Sequence, residues 1–179
     1  ELAVVSMLPM FFESVFSTLT NGSGEKIMTA ELAGLVAGSF AFVNLIARPL
    51  GGLLSDKLSS RKNVMLIYML GIALGFFGMA MIGKFGAIVD GEQTIVPMYD
   101  GMWWLVVSVV ITIACSFFVQ GAEGATFAVI PMVNKKMTGQ IAGMAGAYGN
   151  VGAVIYLVIF SLVDSKTFFY IVSAGAAVS

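Results

Sequence analysis

Long apolar runs, separated by short polar segments, dominate this sequence. An α-helix needs about 20 apolar residues to cross the hydrocarbon core of a bilayer, and several runs reach that length. The pattern predicts an all-α membrane protein with one domain, residues 1–179, built from six spans. The predicted spans are residues 1–19, 32–55, 63–82, 102–133, 139–163 and 168–179. The sequence begins and stops inside apolar runs, so we expect the first and last spans to be incomplete.

The composition supports a membrane protein and excludes several kinds of functional site. The chain is 59% hydrophobic and 11% charged, whereas a soluble domain carries about 25% charged residues. It has no histidine, which excludes imidazole metal sites and His-based triads, and its single cysteine, Cys115, cannot form an internal disulfide. The net charge of −1 gives no basis for nucleic-acid binding. We therefore expect the lipid bilayer as a partner, and we expect no nucleic acid, cofactor, metal or enzymatic activity.

Basic side chains concentrate in two short turns, 56–62 and 134–138, which carry five of the nine Lys and Arg residues. The opposite loops hold three lysines and six acids, among them Asp90. Because short loops rich in Lys and Arg stay on the cytoplasmic side, we expect both basic turns to face the cytoplasm. The protein is thus predicted to be a multi-pass protein of the plasma or inner membrane.

The fifth predicted span, which begins GQIAGMAGAYGNVGAVIY, is unusually rich in glycine. Gly139, Gly143, Gly146 and Asn150 follow a spacing of four, three and four residues, which places them on one helix face. Such a smooth face admits either another helix or a small ligand, and helix packing alone is the simpler interpretation. Asn150 favours a ligand or partner, because an amide within hydrocarbon needs one.

Arg48 is a charge deep inside the second predicted span. It precedes Asp56, which marks the cytoplasmic end, by eight residues. The helical rise places it roughly 12 Å inside a hydrocarbon core about 30 Å thick, close to the midplane. One interpretation is a structural arginine paired to an acid such as Glu123 or to carbonyl groups. The other is an anion site, because a guanidinium group matches oxyanions bidentately.

Glu123 is a second charge at depth, within FVQGAEGATFAV of the fourth predicted span. It either forms an ion pair with Arg48 or carries a proton during transport, since ionisable groups inside membranes serve both purposes. The sequence leaves these two alternatives open.

The turn GLLSDKLSSRK resembles the cytoplasmic loop motif of the major facilitator superfamily. Gly52, Leu54, Asp56 and Lys57 match that motif. Ser59 and Ser60 depart from its expected glycine and arginine, and Arg61 follows them. The resemblance implies a role in gating and topology for Gly52, Asp56, Lys57 and Arg61, and no contact with substrate.

Three segments together resemble the nitrate/nitrite porters of that superfamily, in particular the cyanobacterial-type permeases. They are ARPLGGLLSD (47–56), FFVQGAEGATFAVIP (117–131) and GQIAGMAGAYGNVGAV (139–154), the last resembling a nitrate signature of the family. The resemblance implies the C-terminal six-helix bundle of the fold, spans 7–12, with the N-terminal half missing. It also implies secondary active transport of nitrate or nitrite by alternating access.

The resemblance assigns roles to individual residues. In this family two arginines, one from each half, clamp the anion, and Arg48 matches the arginine of the C-terminal half. Gly143, Gly146, Gly149 and Asn150 match the signature that lines or flanks the site. Symport and exchange both remain open. The alternative functions are transport of another small monovalent anion and anion sensing without transport.

Overall fold

The computed structural model describes residues 2–20, 24–58, 61–89 and 92–178. The motif serines Ser59 and Ser60 and the acidic Asp90 lie outside these ranges. The helices are α1 (Leu2–Val15), α2 (Ala30–Phe42), α3 (Asn44–Lys57), α4 (Arg61–Ala80), α5 (Met102–Val133), α6 (Thr138–Leu162) and α7 (Ser165–Val178). A short 3₁₀ turn, Lys135–Met137, precedes α6, and two strands, β1 (Gly83–Val89) and β2 (Glu92–Pro97), lie between α4 and α5.

Four helical stretches in the described ranges are long and apolar enough to cross a membrane. They are Ala30–Lys57, Arg61–Ala80, Met102–Val133 and Lys135–Leu162. Helices α1 and α7 have 14 residues each, fewer than the ~20 that a bilayer requires. The mostly helical, membrane-spanning character is therefore confirmed, and the count of six spans stays a prediction.

The second predicted span consists of two helices, because α2 ends and α3 begins on either side of Val43. Near this break the Ser116 hydroxyl of α5 donates a hydrogen bond to the Phe40 carbonyl, at 2.6 Å. Ser116 is fully buried. A side chain that engages a carbonyl of the helical ladder is a known cause of local irregularity. The break thus coincides with a polar contact between α2 and α5.

The segment between α4 and α5, which no predicted span covers, forms an antiparallel hairpin. Gly83 pairs with Pro97 and Lys84 with Val96, and the register shifts between Phe85 and Ile88. The β-branched residues Ile88, Val89, Thr94, Ile95 and Val96, with the aromatic Phe85, favour strands over a loop here. The prediction of an all-α chain is therefore incomplete at this hairpin.

The apolar core is built from α1, α2, α4, α5 and α7. Aromatic rings pack edge to face within it, as between Phe11 and Phe169, whose centroids are 4.9 Å apart. In α6, by contrast, none of the side chains is buried. Helix α6 consequently lies at the edge of the described bundle, with its glycine face accessible.

Candidate functional site

Helices α3 and α5 cross with their backbones in direct contact. A methyl group added at Gly124 would overlap the Arg48 carbonyl, and one added at Gly51 would overlap the Gly121 carbonyl. Glycine is needed at such crossings, because any side chain would push the helices apart. This close seam, formed by Gly51, Gly121 and Gly124, brings Arg48 beside the residue that precedes Gly124.

That residue is Glu123, and it forms an ion pair with Arg48. The Arg48 Nη2 group donates a hydrogen bond to Glu123 Oε2, joining positions 75 residues apart in the chain. Both side chains keep access from outside, with 40% of Arg48 and 33% of Glu123 exposed. Of the alternatives that the sequence left open, the ion pair is the arrangement in this structure, while a proton-carrying role for Glu123 stays a prediction.

Helix α3 keeps the expected distance of roughly 12 Å between Arg48 and Asp56 along its axis. The helix runs without interruption from Asn44 to Lys57, so the helical rise between Arg48 and Asp56 holds. Asp56 accepts a hydrogen bond from Arg61 Nη2 at 3.1 Å, and Arg61 Nη1 reaches the Ala128 carbonyl of α5 at 3.4 Å. The turn after α3 is therefore tied to the end of α5, while the gating role of Gly52, Asp56, Lys57 and Arg61 stays a prediction.

Two cavities adjoin the ion pair. The larger, of about 690 Å³, lies between α1, α4, α5, α6 and α7, and Glu123, Gly146, Gly149 and Asn150 contribute to its lining. The second, of about 640 Å³, is lined by residues that include Asn44, Arg48 and Pro49. Phe127 contributes to both. The ion pair thus joins a residue of one cavity to a residue of the other.

The glycine face of α6 makes no close contact with the described part of the chain. A methyl group added at Gly139, Gly143, Gly146 or Gly149 would meet nothing within 4 Å. Asn150 is exposed on the same helix. The structure brings Gly146, Gly149 and Asn150 together with Glu123 around the larger cavity, and Gly143 lies one turn earlier on the helix. Packing against another helix, the simpler interpretation, is not seen within these residues.

Three polar residues near this site were not singled out from the sequence. Asn44 Oδ1, the Tyr68 hydroxyl and the Gln120 amide are buried and have no hydrogen-bond partner among the described residues. Two of them carried a signal: Asn44 stands one turn before Arg48, and Gln120 interrupts an apolar span three residues before Glu123. Tyr68 becomes notable only because its ring packs on Gly121 across the bundle.

Comparison with curated proteins gives relatives along nearly the whole chain. The chain is 45% identical over 176 residues, 98% of its length, to the nitrate/nitrite transporter NrtP of a Picosynechococcus species, covering 27% of that protein. It is 38% identical over 99% of its length to NrtP of Nostoc punctiforme, covering 30% of that protein. It is 42% identical over 73% of its length to the high-affinity nitrate transporter 2.3 of Oryza sativa, covering 23% of that protein.

The chain therefore spans less than a third of the length of these relatives. Neither a protein-family model nor a solved structure matches it. All three relatives are named as transporters, in agreement with the prediction of a membrane transporter rather than an enzyme.

Proposed function

We propose that this chain, a relative of the nitrate/nitrite transporters, forms the C-terminal six-helix half of a major facilitator superfamily transporter that moves nitrate or nitrite across the membrane. The observation that supports nitrate or nitrite as the substrate is the 45% identity to a nitrate/nitrite transporter over 98% of the chain. The four membrane-length helices agree with a multi-pass protein of this kind. The bilayer and an N-terminal half, which lies outside this chain, are the partners that complete it.

Arg48 is the proposed anion-binding residue. Nitrate is flat, and its oxygens can accept two parallel hydrogen bonds from a planar guanidinium group. Three features support this role: the position of Arg48 eight residues before Asp56 in α3, its accessible side chain and the cavity that it lines. Gly143, Gly146, Gly149 and Asn150 would flank the anion on α6, and a second arginine would come from the N-terminal half.

The proposed mechanism is alternating access, in which the two halves rock about a site near the midplane. Moving an anion inward against a negative-inside potential costs about 2.3 kcal/mol per 100 mV. Accumulation therefore needs a driver, either protons that move with the anion or exchange against an outgoing anion. Glu123 is the residue in the site that a proton-coupled cycle would use.

Nitrate uptake by the full-length protein in proteoliposomes tests this function. Arg48→Lys keeps the charge but loses the planar fork, so we expect it to abolish most of the uptake. Lys136→Arg, an equally conservative exchange at an exposed residue of the turn before α6, is the control and should leave uptake unchanged. Normal uptake by Arg48→Lys would mean that the anion is bound elsewhere.

Two further measurements separate the alternative functions. Competition by nitrite, formate and chloride identifies the preferred anion, and nitrate transport predicts that nitrate or nitrite competes best. Binding of nitrate without flux would instead indicate a sensor. Dependence of the wild-type flux on an imposed pH gradient would favour symport over exchange.

A further inference from the structure

The ion pair at the α3–α5 seam places a carboxylate where the transported anion would bind. We infer that Glu123 is an internal competitor for that anion: its carboxylate occupies Arg48 when the site is empty, and the incoming anion displaces it. This inference rests on the proposed anion site at Arg48. It adds a specific role for Glu123, which sets the affinity of the site through competition.

The carboxylate of Glu123 and nitrate can compete because they have similar hydrogen-bonding geometry. A carboxylate and nitrate both present two oxygens in one plane, separated by a single central atom, and both accept hydrogen bonds from a guanidinium edge. Arg48 Nη2 already donates to Glu123 Oε2. An anion that takes this donor must therefore replace the carboxylate oxygen, and binding becomes an exchange of one oxyanion for another.

Because the seam holds the two backbones in place, only side chains can move when the anion replaces the carboxylate. The Gly124 backbone lies against the Arg48 carbonyl, and Gly51 lies against Gly121, so the two helices cannot shift closer to adjust the pair. Backbone contact on both sides of the pair fixes the distance between the Arg48 and Glu123 main chains. The pair can therefore separate only by rotation of the Glu123 or Arg48 side chain.

The larger cavity provides a place for the displaced carboxylate. Glu123 and Asn150 both line it, and the Asn150 side-chain amide offers two N–H donors. In this largely apolar cavity, Asn150 is thus the candidate hydrogen-bond donor for a carboxylate that turns away from Arg48. This assigns Asn150 a second partner besides the anion itself.

A purely structural pair explains less of the arrangement. The backbone contacts of Gly51 and Gly124 already hold α3 against α5. About a third or more of each charged side chain is accessible in the described chain, so an incoming anion can reach the pair. An accessible pair next to two cavities is better suited to exchange than to holding the helices together.

The test measures nitrate binding by the full-length protein, with gluconate salts keeping the ionic strength constant. Glu123→Gln removes the competing charge at nearly constant volume. If the ion pair leaves about a tenth of the protein free to bind, its removal tightens the apparent nitrate dissociation constant about tenfold. Glu123→Asp keeps the charge on a shorter side chain, so we expect an intermediate gain. Glu13→Gln, an exposed carboxylate of α1, is the matched control and should leave the affinity unchanged.

Each outcome decides the inference. Tighter nitrate binding by Glu123→Gln that disappears in the Arg48→Lys, Glu123→Gln double variant supports the competitor role. Unchanged or weaker binding by folded Glu123→Gln overturns it. Should Glu123→Gln fail to give a monodisperse protein, Glu123→Asp decides in the same way. If Arg48→Lys binds nitrate as the wild type does, the anion site itself is wrong, which is a different failure.

Discussion

Two glycine-rich regions of this chain behave in opposite ways. At the α3–α5 seam, Gly51, Gly121 and Gly124 each stand where an added methyl group would overlap a neighbouring backbone or ring. Along α6, Gly139, Gly143, Gly146 and Gly149 meet nothing within 4 Å. Glycine allows close approach in both regions, but only the seam uses it within the described chain. The difference separates glycines that hold the bundle together from glycines that remain available to a ligand or to the other half.

Substitution within the seam should have the largest effect. In Gly124→Ala the new methyl group overlaps the Arg48 carbonyl, and backbone cannot give way as a flexible side chain can. We expect a loss of stability of about 1–3 kcal/mol or more, the usual cost of overpacking. The apparent melting temperature and the monodisperse yield of the purified full-length protein measure it. Gly38→Ala in α2, where nothing lies within 4 Å, is the control. Equal behaviour of the two variants would remove the distinction between the regions.

Substitution on α6 should separate affinity from stability. Gly149→Ala places a methyl group in the larger cavity without a clash, so we expect a melting temperature close to that of the wild type. If Gly149 flanks the anion held by Arg48, as proposed, one added methyl should weaken nitrate binding about tenfold or more. Gly139→Ala, in the first turn of α6, is the matched control. Wild-type nitrate affinity in Gly149→Ala would remove this glycine from the proposed site.

The polar contact between α2 and α5 should contribute less than the glycines of the seam. Ser116→Ala removes the buried hydrogen bond to the Phe40 carbonyl. Hydrogen bonds between membrane helices contribute about 0.6 kcal/mol on average, so a small but measurable fall in melting temperature is expected. Ser161→Ala is the control, because the Ser161 hydroxyl bonds the Val158 carbonyl of its own helix and is exposed. A larger fall in melting temperature for Ser161→Ala would contradict a stabilising role of the hydrogen bond between α2 and α5.

Substitution of Gly52, at the edge of the seam, should have the smallest effect on stability. Gly51 and Gly52 are adjacent, but a methyl group at Gly52 would stand 3.7 Å from the Gly124 carbonyl oxygen, which is ordinary contact. We expect Gly52→Ala to change stability by no more than about 0.5 kcal/mol, as substitutions that remove no specific interaction do. Gly51→Ala, measured in parallel, should resemble Gly124→Ala. Similar losses in both neighbours would mean that the seam is wider than the backbone contacts indicate.

Helix positions could be predicted from sequence to within a few residues. The predicted spans 102–133 and 139–163 correspond to α5, Met102–Val133, and α6, Thr138–Leu162. A segment in hydrocarbon must satisfy its backbone hydrogen bonds internally, so long apolar runs leave few alternatives to a helix. The hairpin 83–97 and the break at Val43 were missed, because strand pairing and the Ser116 contact depend on partners that hydropathy does not report.

The sequence by itself determined the class of protein, the approximate helix positions and the residues worth testing. Arg48, Glu123 and the α6 glycines each stand out as exceptions within apolar runs, and such exceptions are costly enough to be meaningful. Only the tertiary structure decided that Arg48 contacts Glu123, that Glu123 shares a cavity with Asn150, and that the seam glycines are close-packed whereas Gly139, Gly143, Gly146 and Gly149 of α6 are not. These are contacts between helices far apart in the chain. They are set by how the helix faces turn toward one another, which residue spacing along a single helix does not specify.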